Sequence, residues 1–117
     1  MHEMSIASAV VNTVERHAAG RRVGVVTMTV GALRQVVPDS LDFYFGIVSR
    51  DTVCEGARLE QVLVAARVRC GGCGEERDLD MPVFLCPSCG GTCEVVRGDE
   101  LEVDSIEVEE DACIAPR

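Results

Sequence analysis

Four of the seven cysteines fall in two Cys-x-x-Cys pairs, Cys70 with Cys73 and Cys86 with Cys89, inside the stretch CGGCGEERDLDMPVFLCPSCGGTC. Two residues between cysteines let both thiolates face one ion from a tight turn. Gly74 and Gly90 follow the pairs and permit a close backbone approach, so that amide N–H groups can bond the sulfurs. Two such turns facing each other build a tetrahedral S4 cage, the preferred structural zinc site, closed and therefore without a catalytic metal position. The same ligands could hold iron. A redox dithiol is a further reading, although redox Cys-x-x-Cys motifs usually occur singly at a helix start. Cys93 follows closely enough to be an alternative ligand and is expected to be a bystander. Cys54 and Cys113 stand alone and need no metal. The insert carries little apolar material of its own (Met81, Val83, Phe84 and Leu85) and is expected to fold only with metal bound.

The second place where chemistry is expected is the start of the chain, Met1-His2-Glu3. A terminal amine, the backbone nitrogen of residue two and the imidazole of residue two can form fused chelate rings around one ion. An N-rich planar set suits nickel(II) or copper(II). Glu3 can add its backbone nitrogen or carboxylate. Methionine aminopeptidase generally spares Met before a residue as bulky as His, so the Met1 amine is expected to persist. The plainer alternative is that His2 is an exposed terminal residue of no consequence. A site of this kind should weaken as pH falls towards the ordinary imidazole pKa of ~6.5.

The elements that must carry these groups are legible in the apolar pattern. Ala7, Val10, Val11, Val14 and Ala18 recur at spacings of three and four, which predicts a helix over Met4–Ala19 stopped by Gly20. His17 falls at its solvent edge near the C-terminal end, where positive charge is welcome. "RVGVVTMTVG" is mostly β-branched and apolar on both faces, which predicts a central strand closed by Gly31. Pro38-Asp39-Ser40 marks a second helix, with Asp39 or Ser40 as N-cap. Leu41, Tyr44, Phe45 and Val48 share one of its faces, and the adjacent aromatics Phe43, Tyr44 and Phe45 are expected to pack in the core. A further strand is expected over Ala57–Val68, leading into the first cysteine pair. "DELEVDSIEVEE" is a last strand whose two apolar pairs are out of phase, which predicts a bulge near Asp104-Ser105.

The resulting fold class is α/β (α+β): a small three-stranded sheet packed with two helices, plus a zinc-ribbon-like four-cysteine lobe inserted before the last strand. Residues 1–68 and 97–110 are expected to form the α/β domain, 69–96 the zinc-binding domain, and 111–117 a disordered tail.

The chain has 117 residues, with 47% apolar but only 3% aromatic residues, so the core must be built from Val, Leu, Ile and Ala. The net charge is −9, and nine acids against two bases lie from Glu94 onward. No basic cluster offers a duplex nucleic acid a face, so no nucleic-acid partner is expected. No apolar run approaches the ~20 residues of a membrane span, and the start lacks the basic-then-apolar order of a signal peptide. The chain therefore reads as cytoplasmic, with no membrane partner, and paired cysteines in a reducing compartment more often hold metal than disulfides. No nucleophile–base pair, phosphate loop or paired catalytic carboxylates are visible, so no enzymatic activity is expected.

"MHEMS", an amphipathic helix, a strand ending in "VG", "SLDFYF", "EGARLE", two Cys-x-x-Cys pairs and "SIEVEE", in that order, resemble the HypA/HybF family of hydrogenase nickel-incorporation proteins from Met1 to about Glu110. The resemblance implies a nickel metallochaperone serving [NiFe]-hydrogenase maturation. It implies that His2 ligates nickel, with Met1 and Glu3 helping, and that Cys70, Cys73, Cys86 and Cys89 hold structural zinc. Some members use an acidic residue at the start of the second helix as a nickel ligand, and Asp39 stands nearest to that position. The implied partners are a HypB-type GTPase and the hydrogenase large subunit; some members also serve urease, which would add urease maturation proteins. Both a monomer and a homodimer are compatible with the sequence. The competing account is a zinc-ribbon adaptor that makes protein–protein contacts and has no nickel role.

Overall fold

The computed structural model describes residues 2–79, 86–87 and 89–109. Met1, the expected insert residues Met81, Val83, Phe84 and Leu85, Cys113 and the tail expected over 111–117 lie outside them. In chain order the elements are α1 (His2–Ala18), β1 (Val23–Gly31), a 3-10 turn (Ala32–Arg34), α2 (Pro38–Val48), β2 (Arg58–Val64), β3 (Ala66–Cys70), β4 (Glu76–Leu79), β5 (Cys93–Arg97) and β6 (Leu101–Val108). The strands form two three-stranded sheets, ordered β2-β1-β6 and β4-β3-β5. Two helices with one sheet, and a four-cysteine lobe ahead of the last strand, are as expected. The lobe additionally has a sheet of its own.

The chain divides into two compact units. One comprises the described parts of residues 1–28, 36–62 and 102–117; the other comprises residues 29–35 and 63–101. In the first unit α1 packs on α2. The five apolar positions read from the spacing, Ala7, Val10, Val11, Val14 and Ala18, are all buried, and so is Glu3. Glu3 in the first turn and Arg16 and His17 in the last complement the helix dipole. The helix stops on Ala19 and Gly20, both in the left-handed region with φ of 54° and 85°. His17 is exposed, and its Nδ1 donates to the Thr13 carbonyl at 2.9 Å.

α2 begins two to three residues earlier than expected, since Asp39 or Ser40 is the expected N-cap. Val37 is the N-cap and Pro38 is the first helical residue, so Asp39 and Ser40 lie inside the first turn, and the N-cap's own side chain makes no capping bond. Pro38 decides this, because its fixed φ suits the first helical position and its missing N–H costs nothing there. Of the aromatic trio only Phe45 is core: Leu41 and Phe45 are buried, whereas Phe43 is 64% exposed and meets Tyr44 edge to face at 5.4 Å. Burying Leu41 and Phe45 contributes roughly 1.5–3 kcal/mol each.

β1 is central in its sheet, as its two-faced apolar pattern predicts. In β6 the alternation slips by one residue at the predicted place, since Asp104 and Ser105 are both exposed while Leu101, Val103, Ile106 and Val108 are partly covered. The single strand expected over Ala57–Val68 is instead two strands in different sheets, parted at Ala65. Val62 and Leu63 are both exposed ahead of that break, so the run reads as continuously apolar without being continuously buried.

In the second unit β3 is the middle strand, antiparallel to both neighbours, with Val68 opposite Arg77 and Cys70 opposite Cys93. Among the described residues, Val68, Cys70, Cys86 and Cys93 form a buried cluster there, with Leu79 against them. On the outer face Arg67 pairs with Glu76 and Asp78, and Arg69 with Glu76, at 2.6–3.1 Å. Partly exposed ladders of this kind steady register and contribute under about 1 kcal/mol per pair.

Candidate metal centres

The two cysteine pairs occupy two turns of the same construction. In the first, Cys70 N–H donates to Glu75 O at 2.8 Å and Gly74 N–H to Cys70 O at 2.9 Å. In the second, Cys86 N–H donates to Gly91 O at 2.8 Å and Gly90 N–H to Cys86 O at 2.7 Å. Gly74 and Gly90 supply the positive φ of these turns, at 77° and 75°. The close approach expected of them belongs to other glycines. A Cβ on Gly91 would sit 3.2 Å from Cys70 Sγ and 3.3 Å from Cys89 Sγ, whereas nothing lies within 4 Å at Gly74 or Gly90. The sulfurs do accept backbone amides: Gly72 and Cys73 N–H groups point at Cys70 Sγ at 3.3 and 3.4 Å.

The four sulfurs of Cys70, Cys73, Cys86 and Cys89 lie within 4.8 Å of one another. Cys70 and Cys89 sulfurs are 3.3 Å apart, and those of Cys73 and Cys86 are 3.9 Å apart. A tetrahedral ion with metal–sulfur bonds of about 2.3 Å needs sulfurs about 3.8 Å apart, so the donor set fits zinc or a similar ion. The charges are prearranged too. The Cys73 amide, with the Cys89 thiol and the Gly72 amide, brings the Cys70 thiol down to about 6. At Cys89 the Gly91 amide pulls downward, but the bond to Cys70, burial and the other thiols outweigh it and push the thiol up to about 12. One sulfur therefore ionises readily while its partner keeps the shared proton, which a cation would displace. Cys93 lies in β5 opposite Cys70, outside the group of four, and burial raises its thiol. Cys54 is fully buried in a loop, and burial raises it likewise, which marks an inert thiol.

At the other end of the chain His2 opens α1 and Glu3 is buried beside it. His2 Nε2 is itself buried, has no hydrogen-bond partner among the described residues, and lies 3.3 Å from Glu3 Oε2. The Val37 amide, just ahead of α2, donates to the same Glu3 oxygen at 3.1 Å. That amide is one of the orphan donors of a helix start, so Glu3 serves α2 from the neighbouring helix. Asp39 is exposed at the second position of α2. Among the described residues only the four cysteines gather as three or more metal-capable side chains, so Asp39 is not assembled with His2 and Glu3.

The bond from Val37 holds the Glu3 carboxyl below its ordinary value of 4.5. A depressed native value means that the contribution is complete above the ordinary value and is lost as pH falls through the lower one. Helical stability is therefore expected to decline below pH ~4.5, and Glu3→Gln to flatten that part of the profile, as read by circular-dichroism melts across the acid range. A Gln variant that keeps the full wild-type acid profile would remove Glu3 from this role.

The Val37–Glu3 bond and a contact from Arg77 to Cys86 are features of the two candidate sites that sequence reading misses, because neither pairing has a local signature.

Residues 1–108 match a family model described as hydrogenase/urease nickel incorporation, metallochaperone, HypA. A protein named hydrogenase maturation factor HypA in Geobacter metallireducens is 46% identical over 110 residues, which is 93% of this chain and all of that one. The same-named protein of Nostoc punctiforme is 39% identical over 111 residues, covering 94% of this chain and 97% of that one. The solution structure of the Ni metallochaperone HypA from Helicobacter pylori shares the fold, with a TM-score of 0.66 at 20% identity over 91% of this chain and 96% of that one.

Proposed function

Because the chain belongs to the HypA family of hydrogenase/urease nickel-incorporation metallochaperones, we propose that it binds Ni(II) at its N-terminus and delivers it during maturation of [NiFe]-hydrogenase. Nickel is cargo in this reading. The Met1 amine, the His2 imidazole and Glu3 hold it, and Asp39 joins if the first turn of α2 moves towards them. Zinc is the resident ion of Cys70, Cys73, Cys86 and Cys89, where it is structural. The family's work is maturation, and we assign the chain no catalysis of its own. A HypB-type GTPase and the hydrogenase large subunit are the proposed partners, with urease maturation proteins as further candidates, in the cytoplasm.

One observation supports the nickel reading above the others: His2 Nε2 is buried without a hydrogen-bond partner among the described residues, beside a carboxylate that the Val37 amide already orients. A buried imidazole nitrogen without a hydrogen bond costs free energy, and a cation bridging it to Glu3 removes that cost. Metal binding to nitrogen ligands releases protons, so the hold of such a carrier on its ion weakens as pH falls.

Calorimetric titration of nickel into zinc-loaded protein with an untagged N-terminus tests this. Wild type is expected to bind about one ion per chain at micromolar or better affinity, and His2→Ala to lose that binding. Equal binding by the two proteins, or binding by neither, would leave the zinc-ribbon adaptor as the better account.

A further inference from the structure

The two turns of the four-cysteine centre are alike in backbone, and a guanidinium from a neighbouring strand stands at one of their sulfurs. Cys70 and Cys86, the leading cysteine of each turn, are buried, and Cys73 and Cys89 are exposed. Cys70 Sγ takes two amides from its own turn. Cys86 Sγ takes a full positive charge from another strand: Nη2 of Arg77, on β4, lies 3.3 Å away. Arg77 is three-quarters buried, with 26% of its side chain exposed, and its Nε is buried without a partner. The Glu75 carboxylate grips the same Nη2 and stands 3.9 Å from Cys86 Sγ, further than the guanidinium does. The nearer charge at the sulfur is therefore positive, and Glu75 orients it.

We propose that Arg77 is the counter-charge of the four-cysteine metal centre, donating to the Cys86 sulfur and so fixing how tightly the ion is kept. Four thiolates around a divalent ion carry a net charge of −2, which a guanidinium at hydrogen-bond range reduces. A charge-assisted donor draws electron density from the sulfur and makes it a weaker base. Cys86, buried and held by the guanidinium, is then the last ligand to let go, and metal loss starts at the exposed Cys73 and Cys89. This inference rests on the reading that the four cysteines hold a metal.

Arg77→Met keeps the apolar stem and removes the donor; Arg77→Lys keeps a charge without the planar fork. Zinc transfer from the full-length protein to a chromogenic chelator is expected to be about tenfold faster or more for the Met variant, with Lys in between. The same proteins loaded with cobalt(II) give the second readout. Loss of an N–H donor raises the energy of the sulfur electrons, so the thiolate-to-cobalt absorption band is expected to move to longer wavelength in the Met variant. An Arg77 that merely braces β4 through Glu75 would alter release but leave that band in place, and this result overturns the proposal. So does zinc release at the wild-type rate. A wild-type chain that takes up neither zinc nor cobalt would overturn the metal reading itself, and the proposal with it.

Discussion

Stripping the metal from the four-cysteine centre is expected to unfold β3, β4 and β5 while α1 and α2 stay folded. Among the described residues, the buried cluster around the ligands is small. Cys70 and Cys86 belong to the proposed ligand set, Cys93 is a third cysteine and Val68 is the aliphatic member, with Leu79 partly covered beside it. Burial of that little apolar surface contributes a few kcal/mol, at about 25 cal/mol per Å2, against an ordering cost of ~1–2 kcal/mol per residue. Metal ligation has to supply the difference, and structural zinc in small domains supplies apparent free energies of roughly 10–16 kcal/mol. The first unit has its own interior in α1, Leu41 and Phe45, which the metal does not touch. Amide hydrogen exchange after chelation should therefore show lost protection at 66–70, 76–79 and 93–97 and retained protection in both helices. Cys70→Ser should do the same at any zinc concentration that leaves wild type folded. Protection that survives chelation in the three strands would show that the sheet stands without the ion.

The features legible in the sequence are those whose cause is local. The apolar face of α1 follows from spacings of three and four, and the slip in β6 from two apolar pairs out of step. The four-cysteine group follows from ligand spacing, because two-residue gaps leave the chain few other ways to present both sulfurs. What was hidden depends on partners distant in sequence. "VLVAA" is apolar without interruption from Val62 to Ala66, so nothing local marks Ala65 as the point where one sheet ends and another begins. The start of α2 rests on Pro38, but its orphan amide is satisfied by Glu3, 34 residues away. Arg77 reaches Cys86 only because β3 and β4 pair with Val68 opposite Arg77. A shift of one residue would turn that guanidinium to the other face.

Gly31 shows the same limit, and it carries the second large effect. In sequence it is simply the glycine that closes a strand. In the fold its amide donates to Glu100 O at 2.7 Å, and the chain just beyond it, at Leu33, donates to Gly98 O at 2.8 Å. A Cβ on Gly31 would stand 2.1 Å from Gly98 O and 2.6 Å from Asp99 N. Those are backbone atoms held in that pairing, so no side chain can swing away to make room. Gly98 is as constrained, with φ at +108° and Ala66 Cα 2.4 Å from where its Cβ would be. Gly31→Ala and Gly98→Ala are therefore each expected to destabilise the metal-loaded protein by about 3 kcal/mol or more, through overpacking at Gly31 and through overpacking and strain together at Gly98. Gly46 supplies the contrast. It lies exposed within α2 with nothing within 4 Å of an added Cβ. Gly46→Ala is thus expected to stabilise by roughly 0.4–1 kcal/mol, since alanine loses less backbone entropy on entering a helix. Thermal denaturation of the three variants with zinc in excess orders them. Midpoints for Gly31→Ala and Gly98→Ala close to wild type would mean that these two backbones do not stay in contact, because a maintained approach of 2.1–2.4 Å leaves no space for a methyl group.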